Sequence, residues 1–315
     1  FPDKNESMYD PFTCGHSGNA ISAALGVSCA DAILGYKRHV LAVVGDGAIG
    51  AGMSLEALNH AGDLNKNLLV VLNDNEMSIS NTVGAFSKYL NKIRTTQLYA
   101  DLKKEIHNLL NVLPVFGKPV EKTLEHVVEL IRRGAVPGQI FEDLGFNYFG
   151  PIDVHNFQIL IETLNDIKHL EGPVLLHVIT EKGRGFEPAC QNPTQYHSAG
   201  KFEMCDGKIK QNINEPKKNS YTKVFGDTLI ELAKVDFKIV GITAAMPDGT
   251  GIASFRNKFP DRFYDVGICE QHAIGLANGL SAIGLKPVVA IYSTFLQRAY
   301  DQVFHDICLQ RNGVV

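Results

Sequence analysis

The sequence predicts an α/β protein of two consecutive domains, each a mainly parallel sheet flanked by helices, the second incomplete. Three observations carry this prediction. Short apolar runs without alternation recur along the chain, as strands covered on both faces require. Amphipathic stretches separate these runs at βαβ spacing. Several of the runs end in glycine, aspartate or asparagine, which suits the carboxyl edge where open α/β sheets bind ligands.

Composition bounds the reading. A chain of 315 residues, 45% hydrophobic, is long enough for two cores. Lys and Arg number 30 against 34 Asp and Glu, for a formal net charge of -4, and no basic cluster or repeat suggests a nucleic-acid partner. The six cysteines form no CxxC pair, so neither a zinc ribbon nor a dithiol redox motif is indicated, and reduced thiols in a cytosol are the expectation. No apolar run approaches the ~18 residues of a membrane span, and the polar start FPDKNESMYD is not a signal peptide. The missing initiator Met and the strand-like end RNGVV read as a chain cut at both ends.

Residues 11–35 read as a loop running into a helix of small and apolar residues, with Ser17 or Asn19 as its expected cap. Gly15-His16-Ser17 stands at its mouth, either as an anion cradle or as a capped helix start alone. The chain is organised around the next unit, residues 40–80, VLAVVGDGAIGAGMSLEALNHAGDLNKNLLVVLNDNEMSIS. Its first strand, 40–44, is apolar throughout and is expected to be covered on both faces. It stops at Gly45-Asp46-Gly47, a tight turn that leaves the Asp46 carboxylate free. A helix follows, with Met53, Leu55, Leu58 and Ala61 as its apolar stripe and Gly62 near its end. The strand 68–72 ends in Asn73-Asp74-Asn75. Asp46 and Asn75 thus end adjacent parallel strands, where a hard cation such as Mg²⁺ fits. That ion takes few protein ligands, with a main-chain carbonyl sufficing as the third, and completes its shell with phosphate and water. Gly47 and Ala48 offer amide N–H groups nearby. Taken separately, GDG is a common turn and NDN a common loop; together they resemble the thiamine-diphosphate motif.

Beyond residue 80, charged amphipathic stretches over 88–133 read as surface helices with solvated faces, forming an insertion near 85–137. A short aromatic strand, 145–149, ends at Gly150-Pro151. Asp153 is the expected cap of a helix over 156–170 that Gly172-Pro173 terminates, and His155 reads as structural. The strand 174–180 feeds Lys182-Gly183-Arg184-Gly185-Phe186, which is either a loop for an anionic cofactor or a basic surface turn. Residues 187–220 are loop-rich and contain the expected linker, 213–220, between domains 1–212 and 221–315. His197 within them is an isolated loop histidine. The second domain reads as helix 221–234, strand 238–243, helix 252–258, strand 263–266, a turn into a helix ending near 283, strand 287–292 and helix 296–310. Glu270 sits where strand becomes helix, a position that serves the helix dipole in any protein.

The strings GHS (15–17), GDGAIGAGM (45–53), EALNHAGD (56–63), LNDNEMSIS (72–80), LGFNYFGP (144–151), KGRGFEPA (182–189), KFPDRFYDV (258–266), EQHA (270–273) and YSTFLQRAYDQVFHD (292–306) together resemble the 1-deoxy-D-xylulose-5-phosphate synthase family of transketolase-like thiamine-diphosphate enzymes. The resemblance covers nearly the whole chain. GDG with Asn specifies the cofactor alone; YSTFLQRAYDQV joined to LNDNEMSIS points to this family rather than to transketolase or pyruvate dehydrogenase.

The resemblance implies a diphosphate- and Mg²⁺-binding first domain and a truncated pyrimidine-binding second domain. It implies that Asp46, Asn75 and the Met77 main-chain carbonyl hold Mg²⁺. Gly15, His16, Ser17, Gly47, Ala48 and Phe186 would line thiamine diphosphate, and Phe295 would stack on its pyrimidine ring. Glu270 would bond to N1′ of that ring and favour the imino tautomer, whose N4′ takes the C2 proton. His197 becomes a proton shuttle or substrate contact, and Tyr292 and Arg298 face the substrate. The implied reaction condenses pyruvate, with decarboxylation, and D-glyceraldehyde 3-phosphate to 1-deoxy-D-xylulose 5-phosphate, the first step of the non-mevalonate isoprenoid route and a link to thiamine biosynthesis. It runs in a homodimer, cytoplasmic in a bacterium and plastidic in a plant or alga. Phe186 stands where the family often has tyrosine, and Val154 where it often has glycine; Gly18-Asn19 and Cys269 are further departures. A different transketolase-like ketol transferase and a non-catalytic cofactor-binding fragment are the other readings. By the same resemblance, residues that grip the acceptor phosphate lie beyond Val315 and further active-site histidines before Phe1, so the chain by itself is expected to be inactive.

Overall fold

The computed structural model describes residues 3–77, 82–95, 138–197, 203–205, 208–210 and 220–315. Most of the expected insertion, from residue 96 to 137, and the expected linker up to residue 219 lie outside the described residues.

Strands β1 (Leu41–Gly45), β2 (Leu68–Asp74), β3 (Asn147–Asp153) and β4 (Pro173–Ile179) form a wholly parallel sheet in the order β1-β2-β4-β3. A small hairpin pairs β5 (Glu203–Cys205) with β6 (Lys208–Lys210). A second parallel sheet runs β8 (Phe263–Asp265), β7 (Ile239–Thr243), β9 (Lys286–Ala290). Helices α1 (Ala20–Leu34), α2 (Asp46–Ile49), α3 (Gly52–Leu64), α4 (Ala85–Thr95), α5 (Gln139–Asp143) and α6 (Phe157–Ile167) accompany the first sheet; α7 (Tyr221–Val235), α8 (Ala253–Lys258) and α9 (Glu270–Ala282) accompany the second. The α/β class and the parallel sheets agree with the reading of the sequence. One core joins Ile21, Val44, Leu58, Leu72 and Leu175; others lie on the two sides of the second sheet, around Leu229 and Phe255 and around Ile242 and Ala277.

Several local expectations need correction. β1 is covered on one face: Ala42 and Val44 are buried under α1 and α3, whereas Leu41 and Val43 are 50% and 65% exposed. β1 ends the strand order among the described residues, and an aliphatic run alone does not distinguish an outer strand from a central one. The helix after GDG is two helices broken at Gly50-Ala51, and the break changes its phase. The buried stripe of α3 is therefore Ser54, Ala57, Leu58 and Ala61, while Met53 and Leu55 are partly exposed. Asn65, in the left-handed conformation, ends α3. Gly62 lies inside that helix, where the chain at Leu144 passes so close that a Cβ would overlap the Leu144 carbonyl.

Caps differ too. Asn156, not Asp153, caps α6, its Oδ1 accepting from the Gln158 and Ile159 amides at 3.2 and 3.3 Å. Asp153 instead accepts from the His155 amide. Neither Ser17 nor Asn19 caps α1 with its side chain; the Asn19 amide donates to Cys14 Sγ. β2 extends through Asn73 and Asp74 because both have partners: Asn73 Oδ1 accepts from the Thr180 hydroxyl at 2.6 Å, and Asp74 meets His177. β3 continues past Gly150-Pro151, with its pairing shifted between Phe149 and Ile152. In place of one helix over 296–310, the chain makes short turns from residue 293 and a π-helical turn over Val303–Cys308.

Gly62→Ala tests the close approach. In an exposed helix the change would gain about 1 kcal/mol, but overlap with a neighbouring main chain reverses the sign. A net loss of about 2 kcal/mol or more in urea unfolding is expected.

Candidate active site

The register that pairs Gly45 with Asn73 carries β1 and β2 to one edge together. Asp46, the first residue of α2, is 5% exposed. Its Oδ2 accepts from the Thr82 hydroxyl at 3.2 Å, and the Asn75 main-chain amide also reaches the carboxylate. Its Oδ1 is buried without a hydrogen bond. Burial, and then the neighbouring Asp74 charge, push the Asp46 carboxyl up to about 6 against the pull of those two donors.

The turn after β2 is internally bonded. Asn75 Oδ1 accepts from the Met77 amide at 3.0 Å, Asp74 Oδ1 accepts from the Glu76 amide at 3.3 Å, and Glu76 has a left-handed φ of 61°. Asp74 Oδ2 is 3.0 Å from His177 Nε2, and His177 Nδ1 is 2.8 Å from the Tyr148 hydroxyl. Burial alone would raise the Asp74 carboxyl; His177, the Glu76 amide and the Arg94 guanidinium outweigh it and hold the carboxyl below its ordinary range. Arg94 stands 3.7 Å from Asp74 and 3.4 Å from Glu76.

Lys182 and His197 converge on the same edge. The ammonium can only donate, so His197 Nδ1 accepts from Lys182 Nζ at 2.9 Å and the imidazole carries its proton on Nε2. Burial, then the Lys182 charge, lower the His197 pKa; burial lowers that of Lys182, and attraction to Asp46 opposes it. Phe186 meets Tyr196 edge-on at 5.6 Å, just before His197.

The second sheet brings Glu270 to the first. Glu270 opens α9 and is 2% exposed. Its Oε2 is buried without a hydrogen bond; Arg298 Nη1 lies 3.8 Å away, outside hydrogen-bond reach. Arg298 donates through Nη2 to the Ser17 carbonyl, and His16 Nε2 donates to the Thr294 carbonyl at 3.0 Å. The Phe295 ring meets His16 edge-on at 5.2 Å and stacks with Tyr292 at 6.0 Å. Cys269 Sγ donates to the Gly50 carbonyl at 3.6 Å. A cavity of about 200 Å³ between the domains touches Asp46, Gly47, Gly50 and Cys269. Another, of about 670 Å³, borders Gly15, His16, Ser17, Gly45 and Ala48. A cleft of about 650 Å³ at the amino ends of β1, β2 and β4 meets none of these groups.

The donor set fits a hard cation bound with an anionic cofactor. Among the described residues no three His, Cys, Asp or Glu side chains converge on a metal position, so an ion beside Asp46 would draw on the Asn75 amide oxygen, a main-chain carbonyl and the cofactor's own oxygens. A Cβ added at Gly15 or Gly45 would meet no atom within 4 Å, leaving open space beside both motifs. Thus Asp46, Asn75, Lys182 and His197 cluster on the first domain's edge, and Glu270, Arg298, Tyr292 and Phe295 adjoin His16 and Ser17. Met77 joins the first group through its amide. Thr82, Asp74, His177 and Tyr148 are additions to the sequence reading. His177 carried a signal, as the one polar residue inside PVLLHVI; Thr82 carried none.

Residues 1–180 match the family model described as 1-deoxy-D-xylulose-5-phosphate synthase, and residues 217–315 match that of the transketolase pyrimidine binding domain. Over all of this chain, the 1-deoxy-D-xylulose-5-phosphate synthases of Natranaerobius thermophilus and Heliobacterium modesticaldum are 52% and 51% identical. The chain spans 50% and 48% of their lengths. The transketolase of Campylobacter jejuni aligns at a TM-score of 0.36 and 15% identity over 95% of this chain and 51% of its own.

Asp46 makes a testable contribution to stability. Folded Asp46 keeps its proton up to about 6 against an ordinary 3.8. The native state therefore binds the extra proton between those values, and stability falls as pH rises through that window. Asp46→Asn is expected to flatten that slope and, discounted for partial solvent access, to stabilise the cofactor-free chain by about 2 kcal/mol at neutral pH. Urea unfolding across the window measures both.

Proposed function

We propose a function on one premise: the chain belongs to the 1-deoxy-D-xylulose-5-phosphate synthase family. It carries the cofactor-binding part of a thiamine-diphosphate-dependent transferase that joins pyruvate, with loss of CO₂, to D-glyceraldehyde 3-phosphate and forms 1-deoxy-D-xylulose 5-phosphate. The observation that carries this reading is the pair of buried carboxylates, Asp46 and Glu270, each with one oxygen lacking a hydrogen bond. The proposal includes Mg²⁺ as the ion, a homodimeric full-length enzyme and a cytoplasmic location. It assigns residues 1–212 to the diphosphate and 221–315 to the pyrimidine.

Asp46 would meet the cation through its free oxygen while Thr82 steadies the other. Asn75, by its side chain, and Met77, by its main-chain carbonyl, would complete the protein's share. Gly15, His16, Ser17, Gly47, Ala48 and Phe186 would line the cofactor. When bound, thiamine diphosphate supplies the electron sink that makes decarboxylation of a 2-keto acid feasible. Glu270 would exchange a proton with a ring nitrogen, a role suited to a carboxylate withdrawn from water with one oxygen uncommitted. Phe295, steadied by His16 and Tyr292, offers an aromatic wall. Lys182 and His197 add a cationic donor and an imidazole with Nε2–H outward from their shared bond, suited to a phosphate or to a reacting carbonyl oxygen. Tyr292 and Arg298 would border the substrate side, although Arg298 also binds the Ser17 carbonyl within the protein.

Incubation of the full-length enzyme with pyruvate and D-glyceraldehyde 3-phosphate, followed by isotope-resolved detection of 1-deoxy-D-xylulose 5-phosphate, tests the reaction, and the 315-residue chain alone is expected to form no product. Turnover of xylulose 5-phosphate in place of pyruvate would favour the ketol-transfer alternative. In the full-length enzyme, Glu270→Gln should leave the melting temperature near wild type and slow the overall reaction by about 10² to 10⁴. Exchange of the C2 proton of bound cofactor reports the same step directly, and wild-type exchange in the variant would reduce Glu270 to a helix-start carboxylate.

A further inference from the structure

One buried polar chain is not used by the chemistry above. It crosses three adjacent strands: Tyr148 on β3, His177 on β4 and Asp74 on β2. His177 has no exposed surface and Asp74 is 1% exposed. The Asp74 carboxylate accepts from Nε2–H of His177, which leaves Nδ1 to accept the Tyr148 hydroxyl proton. Tyr148 is itself fixed, its ring parallel to Phe141 at 5.8 Å. At the far end, Asp74 Oδ1 takes the Glu76 amide. That bond holds Glu76 at a φ of 61°, a region that a residue with a Cβ occupies only under constraint. Glu76 separates Asn75 from Met77, so its conformation decides how those two residues stand to one another.

A buried histidine with both nitrogens occupied is commonly no more than a satisfied core residue. Here its position argues for more. The chain ends on the peptide of the strained residue, between two proposed metal ligands, and leaving Asp74 without His177 would free the carboxylate that pins it.

We propose that His177, locked between Tyr148 and Asp74, is a positioning residue that sets the Asn75–Met77 turn and thereby the strength and selectivity of divalent-cation binding with the diphosphate. The inference rests on the cofactor site proposed above. Tyr148 orients the imidazole, the imidazole orients Asp74, and Asp74 holds the turn.

The test is calorimetric titration of thiamine diphosphate into the 315-residue chain at a series of Mg²⁺ and, separately, Ca²⁺ concentrations, with cofactor-free thermal unfolding as the control for fold. His177→Leu should weaken Mg²⁺-dependent binding by about 10- to 100-fold, the usual scale for loss of a group behind a metal ligand, and should narrow the preference for Mg²⁺ over Ca²⁺. His177→Gln, whose amide can still donate to Asp74, should recover most of the loss. Tyr148→Phe should weaken binding less than His177→Leu and in the same direction. If His177→Leu does not fold, the Gln and Phe variants decide the matter: wild-type cation dependence in Tyr148→Phe overturns the proposal. A folded His177→Leu with unchanged Mg²⁺ dependence overturns it while leaving the site reading intact. A wild-type chain that takes up no thiamine diphosphate with Mg²⁺ overturns the site reading and this inference together.

Discussion

The carboxylate oxygen of Asp46 that lacks a hydrogen bond governs what surrounds it. Buried charge without a partner is unfavourable by roughly several kcal/mol even after relaxation, and Asp74 adds a second negative group close by. Thr82, the Asn75 amide and the more distant Lys182 reduce that cost without removing it. Such an arrangement makes physical sense where a cation is to be taken up, because the same field that disfavours the bare carboxylate favours a positive guest. The parallel strands make it possible: β1 and β2 run in one direction, so residues that follow them arrive at one edge whatever their separation in sequence.

Glu270 shows how context separates two residues of the same chemistry. Both carboxylates are buried and both keep an oxygen free of hydrogen bonds. Asp46 stands near another carboxylate, whereas Glu270 has a guanidinium 3.8 Å away and stands at the start of a helix of 13 residues. The helix start and the arginine both place positive charge beside it. One is thus suited to attract a metal, and the other to hold or release a proton without leaving its place.

Much of this was legible in the sequence where signals were local. The apolar runs at residues 68–72 and 174–180 marked central strands, Gly45-Asp46-Gly47 marked a strand end, and Glu270 marked a helix start. What failed locally failed for tertiary reasons. Leu41 and Val43 are aliphatic, yet exposed, because burial of a strand's face depends on what packs over it, and α1 and α3 cover only the Ala42 and Val44 side. Asp153 and Asn156 are both good caps, and the chain's exit from β3 decided between them. Asn73 and Asp74 resemble a loop because their partners lie far off in sequence, His177 on β4 and Thr180 just after it. Thr82 could not be found at all: a hydroxyl near residue 80 acquires meaning only once Asp46 is folded against it. The sequence neighbours of Lys182 fit a cofactor loop and a basic surface turn equally, and its contact with His197 is tertiary and has no local signal.

The contacts that cross between the two sheets have a consequence for cooperativity. His16 is tied to Thr294, Ser17 to Arg298 and Gly50 to Cys269, so the loops of each half are partly shaped by the other. Separating the halves would loosen GHS and the segment before α9 even if both sheets stayed intact. A ligand bridging them would act as a cross-link, raising the free energy of separation by its binding free energy. The calorimetric trace would then change character: two overlapping heat-absorption peaks in the bare chain would merge, and the ratio of van't Hoff to calorimetric enthalpy would climb toward unity as the bridge fills.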